Sequence, residues 1–222
     1  MEASDQKILD YVRILSISLQ RRNAITNSDI EPLKNLYDAG QAYDCIAKVK
    51  QLCGLKLTVI VARIKGYPDK ANMVRIFDNF SKQFKYPLYK PSSDEFNDLQ
   101  RSLDSKKVPA FILKPSNLPM FGTQEFENFR VAFFILEWII ELSFESFTTC
   151  VAHEMSHIVL DAMRHPLRED EIAVDITAMI LGFHDIFHVG RKSEKGKIGY
   201  LNDHQFKIAY DEIIRRKKLI YL

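Results

Sequence analysis

The chain has 222 residues, of which 46% are hydrophobic and 27% are charged, and a formal net charge of +2. This composition is ordinary for a globular protein with a substantial core, and so small a net charge gives no electrostatic argument for binding nucleic acid or a membrane. The N-terminus lacks the basic start and apolar run of a signal peptide, and the three cysteines lack the spacing of a disulfide framework or a cysteine zinc site. We therefore expect a cytoplasmic protein with no membrane span and no nucleic-acid partner.

Helices are predicted for the first quarter of the chain. Apolar residues at helical spacing indicate a helix over residues 5–20 and a second helical stretch over 29–52. A run rich in β-branched residues, Leu55–Ile64, then predicts a strand. The segment that follows has a mixed pattern, which favours helices over 72–84 and 93–103 with a connector over 86–91.

Strands and helices are both predicted in the second half of the chain. Short apolar runs indicate strands at Val108–Leu113 and Phe129–Leu136, separated by a loop over 115–122. Helical spacing returns at Phe144–Ala162 and Glu169–Leu181, and the second of these helices is expected to end near Gly182. The tail is predicted to form a turn over 190–199 and a last helix over 202–218. This order of elements predicts an α+β fold.

Residues 153–157 read His-Glu-Met-Ser-His, an HExxH pattern inside a predicted helix. Residues four positions apart share a helix face, so His153 and His157 can bind one metal ion while Glu154 lies beside its open coordination position. Zinc held by two imidazoles and a carboxylate keeps a position for water and lowers the pKa of that water toward ~7. The pattern therefore predicts a zinc site.

A third protein ligand must come from outside this helical turn. The next predicted helix supplies Glu171 and Asp175, which are four positions apart and therefore lie on one face. With Glu171 as ligand, Asp175 can accept a proton from the ligating imidazole of His153 and fix its tautomer. Asp175 and His165 stay open as alternative third ligands, although His165 needs a sharp reversal of the chain that no glycine provides.

His153-Glu154-x-x-His157 followed by Glu171-x-x-x-Asp175 resembles the zinc signature of the gluzincin metallopeptidases, which are the thermolysin-like type. The wider stretch HEMSHIVLDAMRHPLREDEIAVDITAMILGF is similar to bacterial predicted metallopeptidases of unassigned role, and the resemblance covers about residues 120–185. It implies zinc as cofactor, Glu171 as third ligand and Asp175 as the acid that orients His153. It also implies that Glu154 takes a proton from the attacking water and returns it to the leaving amine. The gap between the two motifs is shorter than in thermolysin, and thermolysin's transition-state histidine has no recognisable counterpart here.

The resemblance also implies an architecture. We expect a minimal zincin-like domain in which a small sheet packs on the HExxH helix, with additional N- and C-terminal helices. Residues 1–222 would form a single domain, with a helical N-terminal extension over 1–53 and a catalytic core over 54–222.

Other polar residues are candidates for supporting roles. Peptide hydrolysis needs a donor for the oxyanion, and Tyr200, His184, His188 and Arg191 are all candidates among which the sequence does not choose. The pair His184 and His188 also repeats the spacing of metal ligands, but a loop or helix-end pair is the preferred interpretation. Cys150 precedes His153 by three positions and is interpreted as a small buried hydrophobe rather than a ligand or redox group.

The sequence thus predicts a zinc metallopeptidase that acts on a peptide or protein substrate. The alternative is a zincin-like regulatory or protein-binding module with a structural or latent metal site, and Glu154 discriminates between the two. A nucleic-acid binder would rest only on the basic run at 215–218, which the helix dipole also explains. Cleavage specificity, biological pathway and oligomeric state are not predicted.

Overall fold

The computed structural model describes residues 4–19, 25–66, 109–115, 117–193 and 195–220, with residues 75, 92, 94 and 97 as isolated positions. Apart from these positions, the predicted helices over 72–84 and 93–103 and the connector over 86–91 lie outside the described residues. The predicted α+β class is confirmed, because helices occur together with a small mixed sheet.

The chain divides into two compact units, which we call the helical unit and the sheet unit. The helical unit consists of Met1–Leu55 and Leu142–Leu222, and the sheet unit consists of Lys56–Glu141. The N-terminal helices therefore share a unit with the helix that carries HExxH. The expected single domain, with its boundary after residue 53 and its sheet packed on that helix, stays a prediction.

The sheet unit is built around one central strand. Strands β1 (Thr58–Ile64) and β2 (Ala110–Leu113) flank β3 (Arg130–Leu136), which pairs parallel with β1 and antiparallel with β2. Every residue of β3 after Arg130 is buried. A strand covered on both faces needs apolar residues at successive positions, which explains why this segment lacks the alternation of a half-exposed strand.

A short helix precedes the central strand and was not predicted. Helix α4 (Gln124–Asn128) begins where the Thr123 hydroxyl accepts the Phe126 N–H at 3.2 Å, and the Phe126 side chain is buried. This helix has too few residues to display a hydrophobic period, so its capping threonine was its main sequence signal.

The N-terminal part of the helical unit contains helices α1 (Asp5–Leu19), α2 (Asn27–Asp38) and α3 (Ala42–Leu52). The prediction of one helical stretch over 29–52 is wrong, because the chain breaks between α2 and α3. Gly40 has a φ of +74°, a conformation that glycine adopts without steric cost and that commonly ends a helix.

Helix α5 (Phe144–Ala162) has the predicted bounds and carries the HExxH pattern. It begins at Ser143, whose hydroxyl accepts the Ser146 N–H at 3.2 Å. All of its residues except Glu145 and His157 are buried. The helix is therefore almost entirely buried, including His153 and Glu154 of the pattern.

The segment after α5 differs from the prediction at its C-terminal end. Helix α6 (Glu171–Ala178) continues through a π-helical segment (Met179–Phe183) into helix α7 (His184–Gly190), whereas the sequence predicted a single helix that ends near Gly182. Gly182 does interrupt the regular helix, with a φ of +121°. The chain then resumes a helical path, and the apolar pattern alone could not show this.

The C-terminal part of the unit consists of a small hairpin and a long helix. Strands β4 (Lys192–Ser193) and β5 (Gly196–Lys197) pair antiparallel within the predicted turn over 190–199. The last helix, α8, spans Asp203–Ile220 and slightly exceeds the predicted 202–218.

One helical stretch, Glu171–Gly190, has the length and composition of a membrane span. Its most apolar window is 67% buried inside the protein, and the left-handed Gly182 interrupts its helical geometry. Burial of this kind is typical of a core helix, so the stretch is compatible with the expected absence of a membrane span.

The close packing of α5 and α7 generates a stability prediction. A Cβ on Gly190 would lie 2.2 Å from the Glu145 carbonyl oxygen and 2.4 Å from the Thr149 hydroxyl oxygen. Because overpacking costs about 1–3 kcal/mol or more, we expect Gly190→Ala to lower the free energy of unfolding by at least that amount in urea denaturation. Gly66→Ala is the control, since a Cβ there has no atom within 4 Å. Equal stability of the two variants would contradict the packing described.

Candidate metal centre

Two helices bring the candidate ligands together. His153 and His157 lie one turn apart on α5, with ring centroids 5.0 Å apart and ring planes at 84°. Glu171 is the first residue of α6. The connection between the helices is short, and it places the start of α6 beside the histidine face of α5.

The three side chains converge on one point through specific atoms. Glu171 Oε2 lies 3.4 Å from His153 Nε2 and 3.3 Å from His157 Nε2. One ligand atom from each residue lies within 4.8 Å of the other two. Among the described residues, these three form the one group of histidine, cysteine and acidic side chains with the geometry of a metal site.

These separations fit a tetrahedral ion. Zinc bonds to nitrogen and oxygen are ~2.0–2.1 Å long, so neighbouring donors in a regular tetrahedron are separated by ~3.3–3.4 Å. An octahedral ion with bonds of ~2.1 Å would place neighbouring donors at ~3.0 Å. The two distances from Glu171 Oε2 to the imidazole nitrogens are close to the tetrahedral value, and two imidazoles with one carboxylate are a donor set that could hold a metal ion.

Asp175 binds the far side of the His153 ring. Its Oδ1 lies 2.7 Å from His153 Nδ1, and only 2% of its side chain is exposed. A proton on Nδ1 that is donated to Asp175 leaves Nε2 with its lone pair directed at Glu171 and His157. The structure thus brings Asp175 to the position that an orienting acid would need, one helical turn after Glu171.

The electrostatics of the group favour positive charge. Burial alone would lower the pKa of His153, but its hydrogen bonds with Asp175 and Glu171 outweigh burial and raise that pKa to about 10. For Glu171, burial raises the pKa, but the opposing contacts with His153 and His157 outweigh burial and hold the pKa well below its ordinary value. The site stabilises a cation next to an ionised Glu171.

Glu154 and Tyr200 lie in the same environment. Glu154 is buried with 8% exposure, and its charge adds a smaller contribution to the effects that raise the pKa of both His153 and Tyr200. The Tyr200 ring is stacked against the His153 imidazole, with centroids 5.6 Å apart and planes at 22°. Burial is the main cause that raises the Tyr200 pKa far above its ordinary value, followed by the charge of Glu171, so the phenol stays a hydrogen-bond donor.

The other oxyanion candidates make contacts elsewhere. His184 Nδ1 lies 3.5 Å from Lys217 Nζ, and the His188 ring packs against Phe206 and Tyr210. The Arg191 side chain is buried, pairs with Asp203 and donates to the Leu201 carbonyl oxygen at 3.2 Å. Of the four candidates, Tyr200 is the one in ring contact with a member of the metal group.

Two further polar residues of this region are outside the group. His165 is buried and its Nδ1 accepts the Leu167 N–H at 3.2 Å, a contact of the chain reversal after α5. Cys150 is buried too, and burial raises the pKa of its thiol well above the ordinary value. A protonated, buried thiol is a poor nucleophile and a poor metal ligand, in keeping with its interpretation as a small hydrophobe.

The residues that fix the start of α6 were not predicted from the sequence. Asp170 precedes Glu171, and its Oδ1 accepts the N–H groups of Ile172 and Ala173 at 3.0 and 3.4 Å, which is the geometry of a helix N-cap. Its Oδ2 accepts the Tyr11 hydroxyl at 2.6 Å and the Lys7 ammonium at 3.2 Å. An acidic residue before an apolar helix signals a cap, but nothing in the sequence indicates its partners on α1.

Comparisons with known proteins give no assignment, because no protein-family model, curated protein or solved structure matches this chain. The likeness to the gluzincins therefore rests on the motif residues of the sequence alone.

The contact between α1 and Asp170 predicts a measurable coupling. Tyr11→Phe removes one hydrogen bond to the residue that caps α6, so we expect a loss of about 0.5–1.5 kcal/mol in the free energy of unfolding. Tyr43→Phe is the matched control, because Tyr43 is 52% exposed on α3. Urea denaturation of both variants measures the difference. If the two lose the same stability, the Tyr11 contact does not hold the start of α6.

Proposed function

We propose that this protein is a zinc-dependent peptidase that uses His153, His157 and Glu171 as metal ligands. The observation that carries the proposal is the convergence of three ligand atoms within 4.8 Å of one another, with Glu171 Oε2 at 3.4 and 3.3 Å from the His153 and His157 Nε2 atoms, distances that a tetrahedral ion would accept. The HExxH and ExxxD spacing supports the same assignment, because it resembles the gluzincin signature. We assign Asp175 the role of orienting His153.

Zinc, when bound, supplies a Lewis acid that acidifies a bound water and polarises a peptide carbonyl. Glu154 has the role of general base in this chemistry: its carboxylate takes a proton from the attacking water and returns it to the amine of the departing peptide. A buried Glu154 keeps the exchanged proton away from bulk solvent. Tyr200, which stays protonated, is the preferred donor to the oxyanion that forms on the substrate.

The zinc content of purified protein tests the three assigned ligands. We expect elemental mass spectrometry to find one zinc per chain in the wild type and a loss of zinc in His157→Ala and Glu171→Ala, because each variant removes one of three protein ligands. Matched controls are His204→Ala and Glu169→Ala, whose side chains are 68% and 83% exposed. These controls should retain zinc.

The outcomes distinguish the ligand assignments. Zinc that persists in Glu171→Ala but not in His157→Ala would move the third ligand to Asp175 or His165. A different metal in the wild type at full occupancy would replace zinc in the proposal. Absence of any metal, even after reconstitution, would contradict the proposal altogether.

Peptide hydrolysis by a Glu154 variant separates an enzyme from a regulatory or protein-binding module. Glu154→Gln keeps the size of the side chain and removes its basicity, so it should retain zinc and lower the hydrolysis of a quenched-fluorescent peptide library by about 10²–10⁴-fold. Glu145→Gln, on the same helix, is the control and should hydrolyse peptides like the wild type. A wild type that binds zinc and hydrolyses no peptide would favour the module with a structural or latent metal site.

A further inference from the structure

The two oxygens of Asp175 have different partners. Oδ1 faces His153 Nδ1 at 2.7 Å, whereas Oδ2 accepts two backbone N–H groups, from Tyr200 at 2.6 Å and from Leu201 at 3.0 Å. These amides follow the β4–β5 hairpin and lie 25 and 26 positions after Asp175 in the chain. Occupation of Oδ2 by two donors fixes the rotation of the carboxylate and reserves Oδ1 for the imidazole.

The turn over Gly199–Leu201 is shaped to approach this carboxylate closely. Gly199 has a φ of +85°, which a residue with a side chain adopts only under strain. A Cβ at Gly199 would also lie 2.9 Å from Asp175 Oδ2 and 3.0 Å from Oδ1. Glycine is therefore required here for the backbone conformation and again for the space that the carboxylate occupies.

The same turn contacts His153 directly through a side chain. The Tyr200 ring lies nearly parallel to the imidazole, at 22°, with the centroids 5.6 Å apart. One residue thus donates its N–H to the acid behind His153 and places its ring on the face of His153. Together these contacts restrict both the in-plane rotation and the tilt of the imidazole.

The turn is itself held in place by Arg191. The buried guanidinium donates to the Leu201 carbonyl oxygen at 3.2 Å, and the Arg191 carbonyl oxygen accepts the Ile198 N–H at 3.0 Å. Lys197 Nζ adds a hydrogen bond to the Tyr200 carbonyl oxygen at 3.3 Å. These contacts on either side of Tyr200 keep its N–H directed at Asp175.

We propose that the Gly199–Leu201 turn is a positioning element of the metal site, which aims His153 Nε2 at the metal through the amide pair on Asp175 and the ring of Tyr200. The inference rests on the metal site of the proposed function, but it does not depend on peptide hydrolysis. Groups that orient a ligating histidine contribute about 10–100-fold to metal affinity. The turn should contribute a factor of this size.

The test compares two glycines with similar backbone strain. Gly199→Ala places a methyl group against Asp175, whereas Gly40→Ala introduces a methyl group at a φ of +74° with no atom within 4 Å. In a competition with a zinc chelator, we expect Gly199→Ala to bind zinc about 10–100-fold more weakly than the wild type and Gly40→Ala to bind it equally well.

A second measurement covers the case in which Gly199→Ala does not fold. The amide protons of Tyr200 and Leu201 should resonate at low field in the NMR spectrum of the wild type, because both donate to a carboxylate. Asp175→Asn keeps the shape of the acceptor and removes its charge, and it should shift both resonances upfield.

The results separate this inference from the proposed peptidase. Equal zinc affinity of Gly199→Ala and Gly40→Ala, or amide resonances that Asp175→Asn leaves unmoved, would overturn the positioning role while peptide hydrolysis stands. Weaker zinc binding in Gly199→Ala, in a wild type that hydrolyses no peptide, would support the positioning role and remove the peptidase. A wild type that binds no zinc would overturn both.

Discussion

Three acidic side chains, Glu154, Glu171 and Asp175, act on one buried imidazole, and the rest of the site depends on how their charge is balanced. Uncompensated charge in a protein interior costs several kcal/mol per ion, so a group of this kind requires a cation or a proton. The acids raise the pKa of His153 to about 10 against the opposing effect of burial. A metal ion between the imidazoles and Glu171 would satisfy the same requirement, and the three ligand atoms lie close enough together to hold one.

Contacts within the helical unit hold Glu171 and Asp175 in position beside His153. Asp170 caps α6 and is bound by Tyr11 and Lys7 of α1, so the N-terminal helix fixes the residue next to Glu171. One turn further along α6, Asp175 accepts two backbone N–H groups from Tyr200 and Leu201, which follow the β4–β5 hairpin. Segments far apart in the sequence thus act on successive turns of one short helix. We infer that the N-terminal helix supports the site rather than merely extending the fold.

The sequence predicted those parts of the site that local rules determine. The bounds of α5 followed from the helical spacing of its apolar residues, and helical geometry alone put His153 near His157 and Glu171 near Asp175. The contacts of Asp175 with backbone amides were not predictable in this way, because a backbone N–H carries no residue-type signal. Gly199 was the available clue, since a glycine before an aromatic residue can mark a left-handed turn.

The errors in the predicted helix bounds have a related cause. Gly40 and Gly182 lie inside stretches with a helical apolar pattern, and the pattern does not reveal whether a glycine separates two helices or only interrupts one. Gly40 separates α2 from α3, whereas the chain continues past Gly182 into α7. Tertiary packing decides between these outcomes: at Gly182 the backbone of Ile25 lies so close that a side chain would not fit.

Zinc K-edge X-ray absorption of the zinc-loaded protein would test the central claim most directly, because it reports the atoms bound to the metal. The account predicts nitrogen and oxygen donors at ~2.0–2.1 Å, with the multiple scattering of two imidazoles and no sulfur. A sulfur shell at ~2.3 Å, or a first shell without imidazole scattering, would contradict a site built from His153, His157 and Glu171.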